Sequence, residues 1–169
     1  MKLILLMAMT ADGIIARDSR HFPDWTGTAD KRMFKKMTMD AGVVIMGRRT
    51  FQTIGKALPR RLNIVMTRYP EKQVSADNLI FTNDAPGQLL KKISQQGYQK
   101  AILAGGATIN SLFMRENLID EMVITVIPKL FGQGISMFAE MVDQRITLSH
   151  SYEIEPGVLV LHYKFESMR

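Results

Sequence analysis

Short apolar runs alternate along this chain with longer stretches in which apolar residues recur at helical spacing. The runs Leu3–Met9, Val43–Met46, Asn63–Met66, Leu79–Phe81 and Ala101–Leu103 are nearly unbroken, the pattern of strands covered on both faces. Two later runs, Glu121–Val126 and Val158–Phe165, alternate more, as strands near an antiparallel edge do. Helical spacing predicts helices over Ala29–Asp40, Arg49–Ile54, Pro86–Gln96 and Thr108–Arg115. Strands separated by helices give an α/β fold: a central, mostly parallel β-sheet flanked by helices, with a C-terminal antiparallel hairpin. No repeat, linker or shift of composition divides the chain, so one domain over 1–169 is expected. In such sheets ligands bind at the carboxyl ends of the strands, which makes the residues just after each strand the ones to read first.

The opening segment Met1–Met9 (MKLILLMAM) resembles the start of a signal peptide, but Thr10-Ala11-Asp12-Gly13 breaks it at once. A buried first strand is the better reading. No stretch approaches the roughly 20 apolar residues of a membrane span, and a cytoplasmic protein is expected. With no cysteine, a thiol nucleophile, a disulfide framework and a Cys-based metal site are excluded. His21, His150 and His162 stand far apart without ligand spacing, so no metal site is expected. The net charge of +6 suits a polyanionic cofactor and an acidic substrate. Basic residues are spread along the chain and aromatics make up only 8%, which argues against a nucleic-acid platform. The expected partner is a small molecule, neither nucleic acid nor membrane.

The first predicted helix carries the most informative residue. At about 100° per position, Asp30, Met33, Phe34, Met37 and Thr38 share one stripe, with Lys31, Arg32, Lys35 and Lys36 opposite. Asp30 is thus a carboxylate on an apolar face, costly to bury unpaired. It serves either the helix N-terminus, with Thr28 as cap, or a ligand. A carboxylate can accept two adjacent N–H groups from an amidine-like ring edge, as a pterin or aminopyrimidine offers.

Two strand–glycine–helix junctions follow. Val43–Met46 runs into Gly47, Arg48, Arg49 and Thr50; Leu103 runs into Ala104, Gly105, Gly106, Ala107 and Thr108. Glycine admits a closely approaching backbone or ring, a helix start offers free N–H groups to an anion, and arginine supplies a charge that does not titrate. A tight turn or a solvated arginine pair would account for either junction alone. Asn63–Met66 ends at Thr67 and Arg68, a hydroxyl and guanidinium that could meet a ribose 2′-phosphate or simply occupy a turn.

With these residues in place, the chain resembles the dihydrofolate reductase superfamily over nearly its whole length. The stretch Val44–Arg68 (VIMGRRTFQTIGKALPRRLNIVMTR) and the stretch Ala104–Thr125 (AGGATINSLFMRENLIDEMVIT) carry the resemblance. The resemblance implies NADPH as cofactor and reduction of 7,8-dihydrofolate to tetrahydrofolate, by hydride transfer to C6 and protonation at N5. It implies Asp30 as the pterin-binding acid, Thr125 as the threonine bonded to that acid and the ring, and Trp25 as the residue steadying a water near the ring. Phe34 would line the substrate pocket and Arg61 would pair with the substrate's α-carboxylate. Ala8 and Ile15 would flank pterin and nicotinamide. Gly47, Arg48, Arg49, Thr50, Thr67 and Arg68 would meet the cofactor's phosphates, with Gly105, Gly106, Ala107 and Thr108 beside the pyrophosphate. The loop Arg17–Trp25 would close over the nicotinamide.

Some positions depart from the folate pattern: Ala16, the pair Asp24-Trp25, Ala104 and Asn110. Ile127–Phe138 (IPKLFGQGISMF) and Asp12-Gly13 with Ile15-Ala16 are more similar to the riboflavin-pathway branch of the superfamily. That branch implies the alternative activity, NADPH-dependent reduction of a phosphoribosylaminopyrimidine.

Overall fold

The computed structural model describes Met1–Glu166; residues 167–169 of the expected domain lie outside the described range. In chain order the elements are β1 (Lys2–Thr10), β2 (Ile14–Ala16), α1 (Gly27–Ala41), β3 (Val43–Gly47), α2 (Arg48–Ile54), β4 (Leu62–Met66) and β5 (Leu79–Thr82). They continue as α3 (Pro86–Gln95), β6 (Lys100–Leu103), α4 (Ala107–Arg115), β7 (Glu121–Ile127), β8 (Ile135–Ser136), β9 (Ile146–Glu155) and β10 (Val158–Phe165). Single 3₁₀ turns lie at Asp24–Thr26 and Pro70–Lys72.

Eight strands form one sheet in the order β5-β4-β3-β6-β1-β7-β10-β9, and β2 pairs with β8 apart from it. Every pairing from β5 across to β7 is parallel, while β10 runs antiparallel to both its neighbours. The α/β architecture and the C-terminal hairpin therefore agree with the apolar pattern. The hairpin is β9–β10, and β7 is an interior strand rather than one near the edge. β9, absent from the predicted strands, is the outer strand: ITLSHSYEIE alternates from Ile146 to Ile154, but only its two ends are partly buried and the middle is exposed.

Apolar residues alternate between the two sheet faces. Leu3, Leu5, Val43, Ile45 and Leu103 meet α3 and α4 through Leu89, Leu90, Ile93 and Phe113. On the other face Ile4, Leu6 and Val123 meet Met33, Phe34 and Met37 of α1, while Val44, Met46 and Val65 meet Phe51 and Ile54 of α2. The expected apolar stripe of α1 is thus its packing face. Its start differs from expectation. The helix begins at Gly27, with Thr26 in the cap position and no side-chain cap bond, so Thr28 is an exposed helical residue rather than a cap. It closes at Gly42, whose φ of 74° lets its N–H reach the Thr38 carbonyl.

One buried side chain fixes the passage from α2 into β4. Asn63 is fully buried; its Oδ1 accepts from Leu58 N at 2.9 Å, and its Nδ2 lies 2.9, 2.9 and 3.0 Å from the carbonyls of Leu58, Arg61 and Asn78. Asn63→Ala would leave Leu58 N without its acceptor and take one donor from carbonyls that keep Asn78 Nδ2 or Asn63 N, and is expected to cost about 2 kcal/mol in denaturant unfolding. A loss under about 0.5 kcal/mol, the level of an ordinary surface change, would contradict this role.

Across the hairpin the His150 and His162 rings stack with centroids 4.0 Å apart, and Tyr152 Oη lies 3.4 Å from His162 Nε2. Burial, then the His150 charge, lowers the pKa of His162 from the ordinary histidine value, with Glu121 opposing. The folded state then binds fewer protons than the unfolded one between that lowered value and about 6.5, so stability falls as pH drops through this window. The unfolding midpoint should decrease from pH 7 into this window, and decrease less in His162→Phe. An equal decrease in both proteins would contradict the assignment.

Candidate active site

The site follows from where two neighbouring strands send their helices. β3 and β6 lie side by side, yet α2 leaves β3 toward one face of the sheet and α4 leaves β6 toward the other. Adjacent parallel strands that diverge in this way open a crevice at their carboxyl ends. Here the two ends are joined directly: Ala104 N donates to Ile45 O at 2.8 Å, and Gly47 N donates to Gly105 O at 2.7 Å. Glycine is required at this seam. A Cβ on Gly47 would stand 2.8 Å from Ile109 Cγ1 of α4, and one on Gly105, whose φ is 87°, would stand 3.0 Å from Met7 Sδ. The Gly105–Gly106 peptide is cis.

A cavity of about 1480 Å³ occupies the crevice. Single-ligand pockets run roughly 300–1,000 Å³, so this one has room for two ligands side by side. Its wall contains Ala8, Ile15, Trp25, Asp30, Phe34, Gly47, Arg48, Arg49, Thr50, Thr67, Arg68, Gly106, Ala107 and Thr108, expected site residues from distant parts of the chain. Neither α2 nor α4 has a side-chain cap bond, which leaves first-turn N–H groups available to an anion. Arg48, Arg49 and Arg68 are exposed, and among the described residues none of them makes an ion pair. This end of the cavity is therefore cationic and unneutralised, a setting for phosphate. Asp84, on the same wall, has its carboxyl held below the usual range by the Lys92 ammonium 2.8 Å away and by the Thr82 hydroxyl.

The other end is built on α1. Asp30 is half-buried in the first turn of the helix, and among the described residues it has no ion-pair partner. Phe34, one turn on, lines the cavity with Ile54 and Leu58. Opposite, Ala8 of β1 sits in register with Thr125 of β7. Thr125 is fully buried and, among the described residues, its Oγ1 has no hydrogen-bond partner. An orphaned hydroxyl beneath this floor fits a polar ring edge or a bridging water.

Three expected site residues lie off the wall. Thr125 is behind the floor and makes no bond to Asp30. Gly105 stands behind Gly106, with its carbonyl engaged by Gly47. Arg61 is buried, its Nε donating to Pro59 O at 3.0 Å and its Nη1 to Thr38 Oγ1, so it meets the helix rather than the cavity. Because Thr38 lies eight positions beyond Asp30, Arg61 is about 12 Å along the helix from the acid. Burial, then the neighbouring Arg60 charge, lowers its pKa. Lys31 is exposed, as expected of the solvated side of α1, and also reaches the cavity wall, where Met66, Leu112 and Phe138 join it. Lys31 follows Asp30 by 100° of turn, close enough to the stripe for its long side chain to reach the rim. The apolar residues carried no signal beyond that of core positions.

The departures also find places. Asn110 is buried and its Nδ2 donates to Met137 O at 2.8 Å, tying α4 to the segment after β8. Asp12 accepts from the Gly132 and Phe131 N–H groups at 2.7 and 3.1 Å, joining the turn after β1 to the segment Ile127–Phe138. The Thr10 hydroxyl first, then Gly132, holds the Asp12 carboxyl below its usual range.

Among solved structures, the chain is similar to an Acinetobacter baumannii RibD, with a TM-score of 0.85 at 21% identity, covering 98% of this chain and 58% of that one. It also matches a putative riboflavin biosynthesis protein from Shewanella sp. PV-4, with a TM-score of 0.78 at 22% identity over 99% of this chain and all of that one. At these identities the likeness shows a shared fold. A Bacillus subtilis protein named YwjB is 28% identical over 96% of this chain and 97% of its own length. A Salmonella typhimurium dihydrofolate reductase type 3 is 34% identical over 64% of this chain and 62% of its own length, so the chain spans less than two thirds of that relative. The family model for dihydrofolate reductase matches residues 2–162. The strand–glycine–helix seams, the acid on α1 and this match over nearly the full length agree: the chain belongs to the dihydrofolate reductase family.

Proposed function

We propose that this chain is a cytoplasmic NADPH-dependent reductase acting on a pterin, reducing 7,8-dihydrofolate to tetrahydrofolate and so serving one-carbon metabolism. The observation that carries the reading is Asp30, a half-buried carboxylate facing the cavity whose far end bears three guanidinium groups, none of the four in an ion pair among the described residues. A dinucleotide phosphate belongs at the cationic end, a ring with adjacent N–H and amino groups at the acidic end.

NADPH, when bound, supplies the hydride. The chain's own part is to orient, to exclude water and to manage one proton. Arg48, Arg49 and the first turn of α4 would hold the pyrophosphate, and Thr67 with Arg68 the 2′-phosphate. Ala8 and Ile15 would leave room for two rings face to face, with Phe34 beneath the substrate. Asp30 would accept the ring's N–H and amino groups, and its negative charge would raise the basicity of the ring nitrogen that takes the proton. Trp25, at the lip, would screen that nitrogen from bulk solvent while leaving a path for one water.

A second reading, reduction of a phosphoribosylaminopyrimidine, is favoured by the Asp12–Gly132 contact. That contact brings together the two stretches that resemble the riboflavin branch. The position of Arg61 off the cavity wall also suits it, since a substrate without a glutamate tail needs no such partner.

The direct test is NADPH oxidation by the purified protein with dihydrofolate or the aminopyrimidine. Saturable oxidation with dihydrofolate supports the first reading; oxidation with the aminopyrimidine alone transfers the site to the second. Asp30→Asn should keep NADPH affinity and lose roughly 10²-fold or more in kcat at neutral pH. Unchanged turnover would remove Asp30 from the reaction. Arg68→Ala should weaken NADPH roughly tenfold or more, the worth of a charged hydrogen bond, while leaving NADH binding unaltered. Equal losses for both cofactors in a titration would show that Arg68 does not meet the 2′-phosphate.

A further inference from the structure

The lip of the cavity is a loop rather than a strand or helix. Asp18, His21, Phe22 and Trp25 line the opening, and they belong to a segment between β2 and α1 whose regular structure is one 3₁₀ turn. Their support comes from the far side, where the ring of Phe131 lies edge-on to Trp25 with centroids 5.0 Å apart. The same ring is 5.4 Å from the His21 ring, and the Arg17 guanidinium lies 4.4 Å from its centroid. His21 in turn stacks on Trp25 at an interplanar angle of 10°, and its Nδ1 accepts from Arg17 N at 3.1 Å. Phe131 itself is not on the cavity wall. It is a post against which the lip leans.

What holds the post is a carboxylate. The backbone N–H groups of Phe131 and Gly132 both donate to Asp12, and Thr10, fully buried at the end of β1, donates its hydroxyl to the same carboxylate at 2.5 Å. One residue earlier, Ala11 N donates to Lys129 O at 2.9 Å. The loop bearing Phe131 is therefore fastened to the central strand of the sheet. Without Asp12 the two N–H groups would have only water, and the loop would keep just the Ala11–Lys129 backbone bond and the two-residue strand β8.

We propose that Asp12 is a positioning residue for the active site: it fixes Phe131, and Phe131 fixes the lip that carries Trp25. Its influence on catalysis rests on the reductase reading above, but its influence on Trp25 does not. Trp25 is the protein's single tryptophan, so its emission reports the lip alone.

The test is acrylamide quenching of Trp25 emission in the free full-length protein, for Asp12→Asn, Phe131→Leu and the double variant. Each single change should make Trp25 more quenchable and shift its emission to the red, while far-UV circular dichroism stays that of wild type. The double variant should go no further than the stronger single, because both act through one contact. Phe131→Tyr, which keeps the ring, should behave as wild type and guards against a variant that merely fails to fold. With substrate, Asp12→Asn should lower kcat/KM roughly tenfold, the worth of a charged hydrogen bond, while NADPH affinity at the arginine-lined end stays unchanged. Unaltered quenching in Asp12→Asn, or additive effects in the double variant, would overturn the proposal. Absence of turnover in the wild type would instead overturn the reductase reading, and the quenching result would still decide the role of Asp12.

Discussion

The joined ends of β3 and β6 are the constraint on which the rest of this molecule depends. Two hydrogen bonds, Ala104 N to Ile45 O and Gly47 N to Gly105 O, bring the strand termini into contact where their helices part to opposite faces. Only a residue without a Cβ fits at Gly47, because α4 places Ile109 where that carbon would stand. From this seam the crevice, the two uncapped helix starts and the placing of Arg48 and Arg49 all follow. A bulkier residue at Gly47 would push α4 away and disturb the cationic end before touching any ligand.

The opposite end of the cavity is set by a conflict between packing and charge. α1 must present apolar residues to the sheet, and Met33, Phe34 and Met37 do so. Asp30 interrupts that stripe at the open end of the helix, where the macrodipole favours a negative charge and the cavity admits a partner. The hydroxyl of Thr125 across the floor, without a partner among the described residues, is a second polar group inside an apolar wall. Residues that cost stability and serve no core contact mark the place where a ligand completes the structure.

Much of this was legible in the chain. β1, β3, β4 and β6 announce themselves because strands covered on both faces are apolar throughout, and glycines at two strand ends mark close approaches. The outer strand β9 alternates from Ile146 to Ile154, but it is short of apolar residues and mostly exposed, so its alternation marks no core face. β2 and β8 are too short to show a pattern. At the site, strand-end residues were found because topology forces them together. The reach of the Arg61 and Lys31 side chains follows a different rule. The direction of Arg61 depends on the turn at Arg60, whose φ is 61°, and the reach of Lys31 depends on where the rim of the cavity falls. Both are tertiary facts with no local signal. Phe131 had none either, although Asp12-Gly13 and Ile127–Phe138 had already stood out together.

The central claim is that one cavity holds a dinucleotide phosphate at its arginine-lined end and a ring substrate at Asp30. A crystal structure of the protein with NADPH bound tests it most directly. The account predicts the pyrophosphate against Arg48 and the first turn of α4, with the nicotinamide beside Ala8 and Ile15 and open toward Asp30. A cofactor bound with its phosphates at the Asp30 end, or outside the β3–β6 crevice, would contradict it.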